Sequence, residues 1–246
     1  MSYKVYLVPK SKLPNSLNAA LNELRLSSKE FKIVLIKPNI CGFYPPDLEL
    51  LKALLDYMVK ISSTIVIGET ESTMYKPKER FQELGIVSLA NAYSGKVKVV
   101  DLSEGDKVKV NVPNPRSVKT LRLPKLIFNA DYLINLARIG NHPSTTITAA
   151  LKNLFGLIAE KFKYFKYHPR GMNKVIADIA KVIKPNLNIV EVNDEVLISK
   201  DVLAVDIIAT KMFGVDPFSV KHLRMVAEDR EEPLENIVSK IEVLVF

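Results

Sequence analysis

The sequence predicts an α/β protein on a mostly parallel, doubly wound sheet, with an antiparallel elaboration near residues 96–128. Three observations carry that expectation. Short Val- and Ile-rich runs recur along the chain, helix-period segments separate them early and late, and strand-like segments follow one another without helices in the middle. The 246 residues, 48% hydrophobic and 25% charged, suffice for a substantial core, so one α/β domain over 1–246 is expected.

Taken in order, YKVYLVP (3–9) reads as a strand and SLNAALNELRL (16–26) as a helix with apolar residues three and four apart. FKIVLIK (31–37) has the continuous apolar run of a buried parallel strand. Tyr44, Pro45 and Pro46 break the chain, and Asp47 is placed to cap a helix over 48–61. TIVIG (64–68) is a strand, and 76–85 a helix stopping at Gly85. KVKVVDL, KVKVNVP and KTLRLPKLIF make up the antiparallel elaboration, with Pro113 and Pro115 marking a turn. DYLINL (131–136) returns to the buried pattern. Helices are expected near 144–162, 172–183 and 201–213, with strands at LNIVEV (187–192) and KIEVLVF (240–246).

Composition narrows the function classes. Thirty-five basic against 27 acidic residues give a net charge of +8, which favours anionic partners in general. The cations are spread along the chain, which fits a solvated surface better than a nucleic-acid face. Cys41 is the single cysteine, so four-cysteine zinc and iron–sulfur sites within the chain are excluded. The start MSYKVYLVPKSK does not read as a signal peptide, and no apolar run approaches the ~20 residues of a membrane span. A soluble, cytoplasmic protein is expected. Glycine-rich phosphate-binding signatures and the nucleophile elbow are lacking.

Ligands of open parallel sheets bind beyond the carboxyl ends of the strands, and polar residues follow several predicted strands. Lys37, Pro38 and Asn39 follow the second; Glu69, Thr70 and Glu71 the third. Asn135, Arg138, Asn141 and His142 accompany DYLINL, and Asn193 and Asp194 follow LNIVEV. Each has a plain alternative: Lys-Pro-Asn as a turn, Glu69 and Glu71 as helix-dipole acids, Asp101 and Asp131 as turn acids. His222, in VKHLRM, reads as a surface helix residue, and Cys41 as a small buried hydrophobe rather than a nucleophile. If 144–158 is a helix, Thr148 and Lys152 lie one turn apart on one face. Lys152 either faces an anionic partner or snorkels to solvent. His142 and His168 are candidate metal donors, although their spacing is not diagnostic.

The segments KIVLIKPNI, DYLINLARIGNH, TITAALKNLFG, VIADIAKVIKPNLNIVEV and DVLAVDIIATKMFGVDP resemble, in this order, the domain-of-unknown-function 362 family. ALKNLFG is the most specific of them. The resemblance implies Lys37, Pro38, Asn39, Asn135, His142, Thr148, Lys152, Asn153 and Gly156 as pattern positions, with His168, Asp178, Asp201 and Asp206. It also marks two departures. Gly140 stands where relatives usually carry lysine, with Arg138 nearby, and VEVNDEVLISKD lacks the acidic, glycine-rich turn. Relatives with cysteine-rich iron–sulfur modules have no counterpart here.

The combined expectation is a small-molecule enzyme acting on a small polar or anionic ligand at the strand ends. Lys37, Lys152 and Arg138 would hold its anionic group, and Asn39, Asn135, Thr148 and Asn153 would orient it. His142, then Glu69, are the acid–base candidates. A non-catalytic ligand-binding protein is the alternative, and a nucleic-acid or partner-binding module the less favoured one. The cofactor is left open: no iron–sulfur cluster is expected, and a divalent metal at His142 and His168 is the minor reading.

Overall fold

In the computed structural model, which describes residues 2–246, the strands are β1 (Tyr3–Pro9), β2 (Phe31–Lys37), β3 (Ser62–Glu69), β4 (Val97–Asp101), β5 (Lys107–Asn111), β6 (Thr120–Pro124), β7 (Tyr132–Arg138), β8 (Gly140–His142), β9 (Thr146–Thr148), β10 (Leu187–Val192), β11 (Glu195–Ser199) and β12 (Ile241–Val245). The helices are α1 (Asn15–Glu23), α2 (Leu48–Met58), α3 (Pro77–Glu83), α4 (Ile86–Asn91), α5 (Leu126–Asn129), α6 (Ala150–Asn153), α7 (Lys163–Tyr167), α8 (Met172–Val182), α9 (Val202–Met212), α10 (Lys221–Glu228) and α11 (Leu234–Ser239).

Eight strands form the main sheet in the order β12-β1-β11-β10-β7-β2-β3-β4. Only β11 runs against its neighbours; every other pairing is parallel. Strand alternation then sorts side chains into two cores. Val34, Ile36, Ile65, Ile67, Ile134 and Leu136 pack under α1, α2, α3 and α4 on one face. On the other, Leu35, Val66 and Leu133 meet α8, while Val190, Val192 and Leu197 meet α9 and α10. The chain steps from β2 outward through β3 to β4, then returns to β2's other side with β7 and on to β10. The order thus reverses between β2 and β7, which opens a crevice at their carboxyl ends.

The parallel, doubly wound reading holds, with local differences. KVKVVDL is β4, a parallel edge strand of the main sheet, so the antiparallel elaboration reduces to the β5–β6 hairpin. Leu126, Ile127 and Phe128, expected as strand, lie in the short helix α5. EVLIS is a strand that the sequence reading omitted: Asn193, at φ +52°, turns the chain directly from β10 into β11. An asparagine tolerates that left-handed conformation, so the hairpin forms without the glycine that relatives place there.

The chain departs furthest from the expected elements over 144–162. Thr146-Ile147-Thr148 pairs with Gly140-Asn141-His142 as the β8–β9 hairpin, entered through Thr146 in the left-handed region at φ +67°; the branched Ile147 and Thr148 favour extended backbone. The helix is only α6, followed by a tight turn at Leu154–Leu157. Asp206, wholly buried on α9, fixes the start of α6 by accepting the Ala150 and Leu151 N–H groups, both at 2.8 Å. Burial lifts its carboxyl to about 7 despite those two donors. Asp47 also differs from expectation. It stands at the N-cap of α2 without a capping hydrogen bond, because its carboxylate is taken by Lys10 and Arg138.

Removing Asp206 should therefore be costly. Asp206→Ala strands two buried N–H groups and should destabilise the protein by ~2–5 kcal/mol in urea unfolding. Asp201→Ala, which removes the more exposed cap of α9, should cost only ~0.5–2 kcal/mol. Equal losses would mean that α6 is not held by Asp206.

Candidate functional site

A buried polar chain crosses the sheet at the crevice. Parallel register sets Asn188 of β10 beside Asn135 of β7, and Asn135 beside Lys37 of β2. Asn135 Nδ2 donates to Asn188 Oδ1 and to Ala150 O, each at 3.0 Å. Asn153, delivered by α6, donates to Asn135 Oδ1 at 2.7 Å and accepts from Lys37 Nζ at 2.6 Å. Lys37 closes the chain by an ion pair of 2.6 Å with Glu69. Both partners are 1% exposed, so the pair needs every remaining polar site filled. Glu69 also accepts the Ile40 and Thr70 N–H groups, at 3.1 and 3.0 Å.

Gly156 makes that pair fit. A Cβ at this position would lie 2.6 Å from Lys37 Nζ and 3.1 Å from a Glu69 oxygen. Above the pair opens a cavity of about 380 Å³, at the small end of the ~300–1,000 Å³ usual for ligand pockets. Lys37, Lys152 and Lys163 all border it, and Glu69 is its only carboxylate. Lys163 Nζ donates to Thr70 Oγ1 at 2.6 Å and lies 5.7 Å from the centre of the Phe155 ring. Lys152 has no hydrogen-bond or ion-pair partner among the described residues. Burial, and then the Lys37 charge, bring it down to about 8. Burial brings Lys163 to about 8 as well; Glu69 opposes the shift and Lys37 adds to it.

His142 and His168 border the same cavity. Nδ1 of His142 lies 3.0 Å from Thr145 Oγ1 and 3.3 Å from Ser144 N. Burial, reinforced by Lys152 and His168, lowers it to about 4. It is neutral at pH 7, unlike the imidazole titrating near neutrality that the sequence suggested. His168 is also lowered, by burial and Lys152, and stacks 3.7 Å from the Tyr164 ring centre. Among the described residues no group of three His, Cys, Asp or Glu side chains is placed to hold a metal ion. The two imidazoles share their space with a lysine, which opposes a cation there. Cys41 is half-buried at the cavity; burial and then Glu69 push its thiol up to about 12, so it is no thiolate nucleophile at neutral pH.

The structure thus brings Lys37, Asn39, Glu69, His142, Thr148, Lys152 and His168 to one cavity, with Asn135 and Asn153 beneath it. Thr148 arrives from β9 rather than from the helix face shared with Lys152. Arg138 does not join them: it pairs with Asp47 at 3.0 Å and approaches Glu191 at 3.9 Å. Nor does Asn193, which turns the β10–β11 hairpin. Gly140 has no room for the lysine of relatives, since a Cβ there would lie 2.4 Å from the Tyr44 ring. His222 is wholly buried rather than on the surface, held by Asn173 at 3.0 Å and lowered by burial to about 3. Asp178 is structural, accepting the N–H groups of Arg116, Ser117 and Val118.

Sequence reasoning missed Asn188, Thr70 as a side-chain partner, and Lys163. Asn188 carried a legible signal, an amide inside an otherwise apolar strand. Lys163 carried none, because KFKYFKYH reads as a surface segment and its partner Thr70 is 93 residues away.

The family model described as Domain of unknown function (DUF362) matches residues 34–193. A "Thylakoid-associated protein" of Synechocystis is 30% identical over 135 residues, covering 46% of this chain and 41% of that protein. The lactate racemase apoprotein of Thermoanaerobacterium thermosaccharolyticum aligns with 80% of this chain and 54% of its own, at 16% identity and a TM-score of 0.43. The chain thus spans less than half the length of the curated relative that it matches and about half that of the aligned structure. With the match running from within β2 to the turn after β10, this chain belongs to the family described as Domain of unknown function, DUF362.

Proposed function

We propose that the protein is a small-molecule enzyme that binds an anionic substrate in the cavity and uses Lys152 for proton transfer. The observation that carries this is a lysine without a counter-ion, facing a cavity that holds two further lysines and one carboxylate. A partly buried, unpaired ammonium is costly, and a carboxylate, sulfate or phosphate group would supply the missing charge. Lys163, satisfied by Thr70 and Ile158 O, keeps a donor free for the same anion. An amine near 8 lies close enough to working pH to exchange a proton with a bound substrate. Glu69 accepts from Lys37 and two backbone donors, so its role is to position Lys37. His142, neutral, offers a hydrogen bond rather than a proton exchange.

That same engagement of Glu69 favours the second reading, a non-catalytic binder of the same anion. Either way the partner is a small molecule, and the setting is the cytoplasm. No helix among the described residues is long and apolar enough to cross a membrane. Nucleic acid is not the partner in this reading, since the cavity lysines lie below the surface.

Sulfate, whose charge is constant over the range, tests the site by calorimetry. Binding an anion beside an ammonium raises its pKa, so affinity should be flat below about pH 8 and fall above it. The fall is ~tenfold per pH unit for each lysine that must take up a proton. Lys152→Met should weaken binding, lessen that slope and leave the unfolding temperature unchanged or higher at pH 7, because a buried charge is removed. A wild-type affinity that does not change across pH 8 to 10 would remove Lys152 from the site.

Trinitrobenzenesulfonate, an anionic reagent for neutral amines, supplies a second test. At pH 8 it should modify Lys152 ahead of surface lysines, with sulfate slowing that reaction at least severalfold in peptide mass maps. Labelling of Lys152 no faster than at the surface would leave it without the predicted reactivity, and the binding reading would replace the enzyme one.

A further inference from the structure

The cavity is polarised from floor to mouth. Lys37 and Lys163, at its floor, are 1% and 6% exposed. At its mouth, three separate chain segments contribute large apolar side chains to solvent: Phe43 at 65% exposure, Met74 at 64% and Tyr164 at 45%. Phe162 and Phe165, beside Tyr164, are also exposed. Single exposed hydrophobics are ordinary, whereas a group gathered around one opening marks a binding surface. Between floor and mouth, Phe155, Tyr44 and Tyr75 continue the apolar wall.

We infer that the ligand is an amphiphilic anion: a phosphate or carboxylate head on the lysine floor, with an acyl or aryl body running out past Phe43, Met74 and Tyr164. This rests on the reading of the cavity as an anion site and names its substrate class. The burial of the cations and the volume left beside a head group set the orientation. The cations lie at the closed end, so the charged group enters first and loses its water against fixed donors. A head group alone leaves most of the roughly 380 Å³ to be filled, and the remaining walls offer apolar contact, which rewards a body that removes them from water. A compact hydrophilic anion would leave Phe43 and Met74 as exposed as they are now.

Methyl phosphate and octyl phosphate share a head group and differ in the body, so their ratio of affinities isolates the inference. By calorimetry at pH 7, below micelle formation, octyl phosphate should bind at least tenfold more tightly. Phe43→Ser combined with Met74→Ser should cut that ratio below threefold, leaving methyl phosphate affinity and unfolding temperature unchanged, because both side chains are already exposed. Lys152→Met should weaken both ligands alike. Equal wild-type affinities would overturn the amphiphile while keeping the anion site; binding of neither ligand would overturn the anion site itself. A ratio that survives the double substitution would also overturn the inference. So would equal affinities together with co-sedimentation on phosphatidylglycerol vesicles that persists in Lys152→Met, which would assign the apolar mouth to a membrane surface.

Discussion

The pair of Lys37 with Glu69, and the amide chain that completes it, sets the terms for everything around the crevice. Two opposite charges at 1% exposure are stable only if each spare lone pair and proton finds a partner, since the desolvation cost of each ion is several kcal/mol. The fold meets this with backbone N–H groups from two loops and one side-chain amide. Asn153 must therefore be held to within a fraction of an ångström, which explains the buried Asp206 at the start of α6. It also explains Gly156, the residue whose missing side chain lets the turn after α6 close over the pair. Family-pattern positions that look unrelated in sequence, Lys37, Asn153, Gly156 and Asp206, are parts of one electrostatic arrangement.

The arrangement has a consequence for the open side of the cavity. Because Glu69 is engaged by Lys37, no carboxylate pairs directly with Lys152 or Lys163. Burial dominates the lowering of both and Lys37 adds repulsion, while Glu69 opposes the shift only at Lys163. Thr70 and the Ile158 carbonyl satisfy Lys163 without neutralising it. The fold thus holds surplus positive charge in a half-closed space, where an anion interacts more strongly than at a solvated surface. The +8 of the whole chain is a poorer guide than this local imbalance.

Much of this was legible in the sequence, for a physical reason. Parallel strands flanked by helices are buried on both faces, so a polar residue at a strand end or inside a strand stands out against an apolar run. Lys37, Asn135 and Glu69 were visible in that way, and Asn153 through an amide beside a lysine in an apolar segment. The same logic failed for Arg138, because the strand-end rule says nothing about which side of the crevice a residue faces. Lys10, Asp47 and Glu191 gather Arg138 into a separate ion cluster. Helix periodicity failed at 144–148, where the branched Ile147 and Thr148 pair as strand and the apolar spacing is one that helix and strand can share over so short a span. His222 was misread because an imidazole in a charged helix looks solvated until Asn173 is known to meet it.

The two departures from relatives bear on the site unequally. The glycine-free turn after β10 is a hairpin into β11, and its asparagine takes the left-handed conformation, so the sheet continues unbroken from β10 to β11 and the cavity is not formed from this turn. Gly140 matters more. The Tyr44 ring lies against its backbone and occupies the space into which a side chain would project. Tyr44 itself borders the cavity. Where a relative would place a further cation, this chain presents an aromatic face, which lowers the positive charge near His142 and adds apolar wall. Gly140 and Tyr44 act together in this chain, the glycine admitting the ring that walls the cavity. That arrangement suits a ligand whose head is met by Lys152 and Lys163 and whose remainder is met by rings.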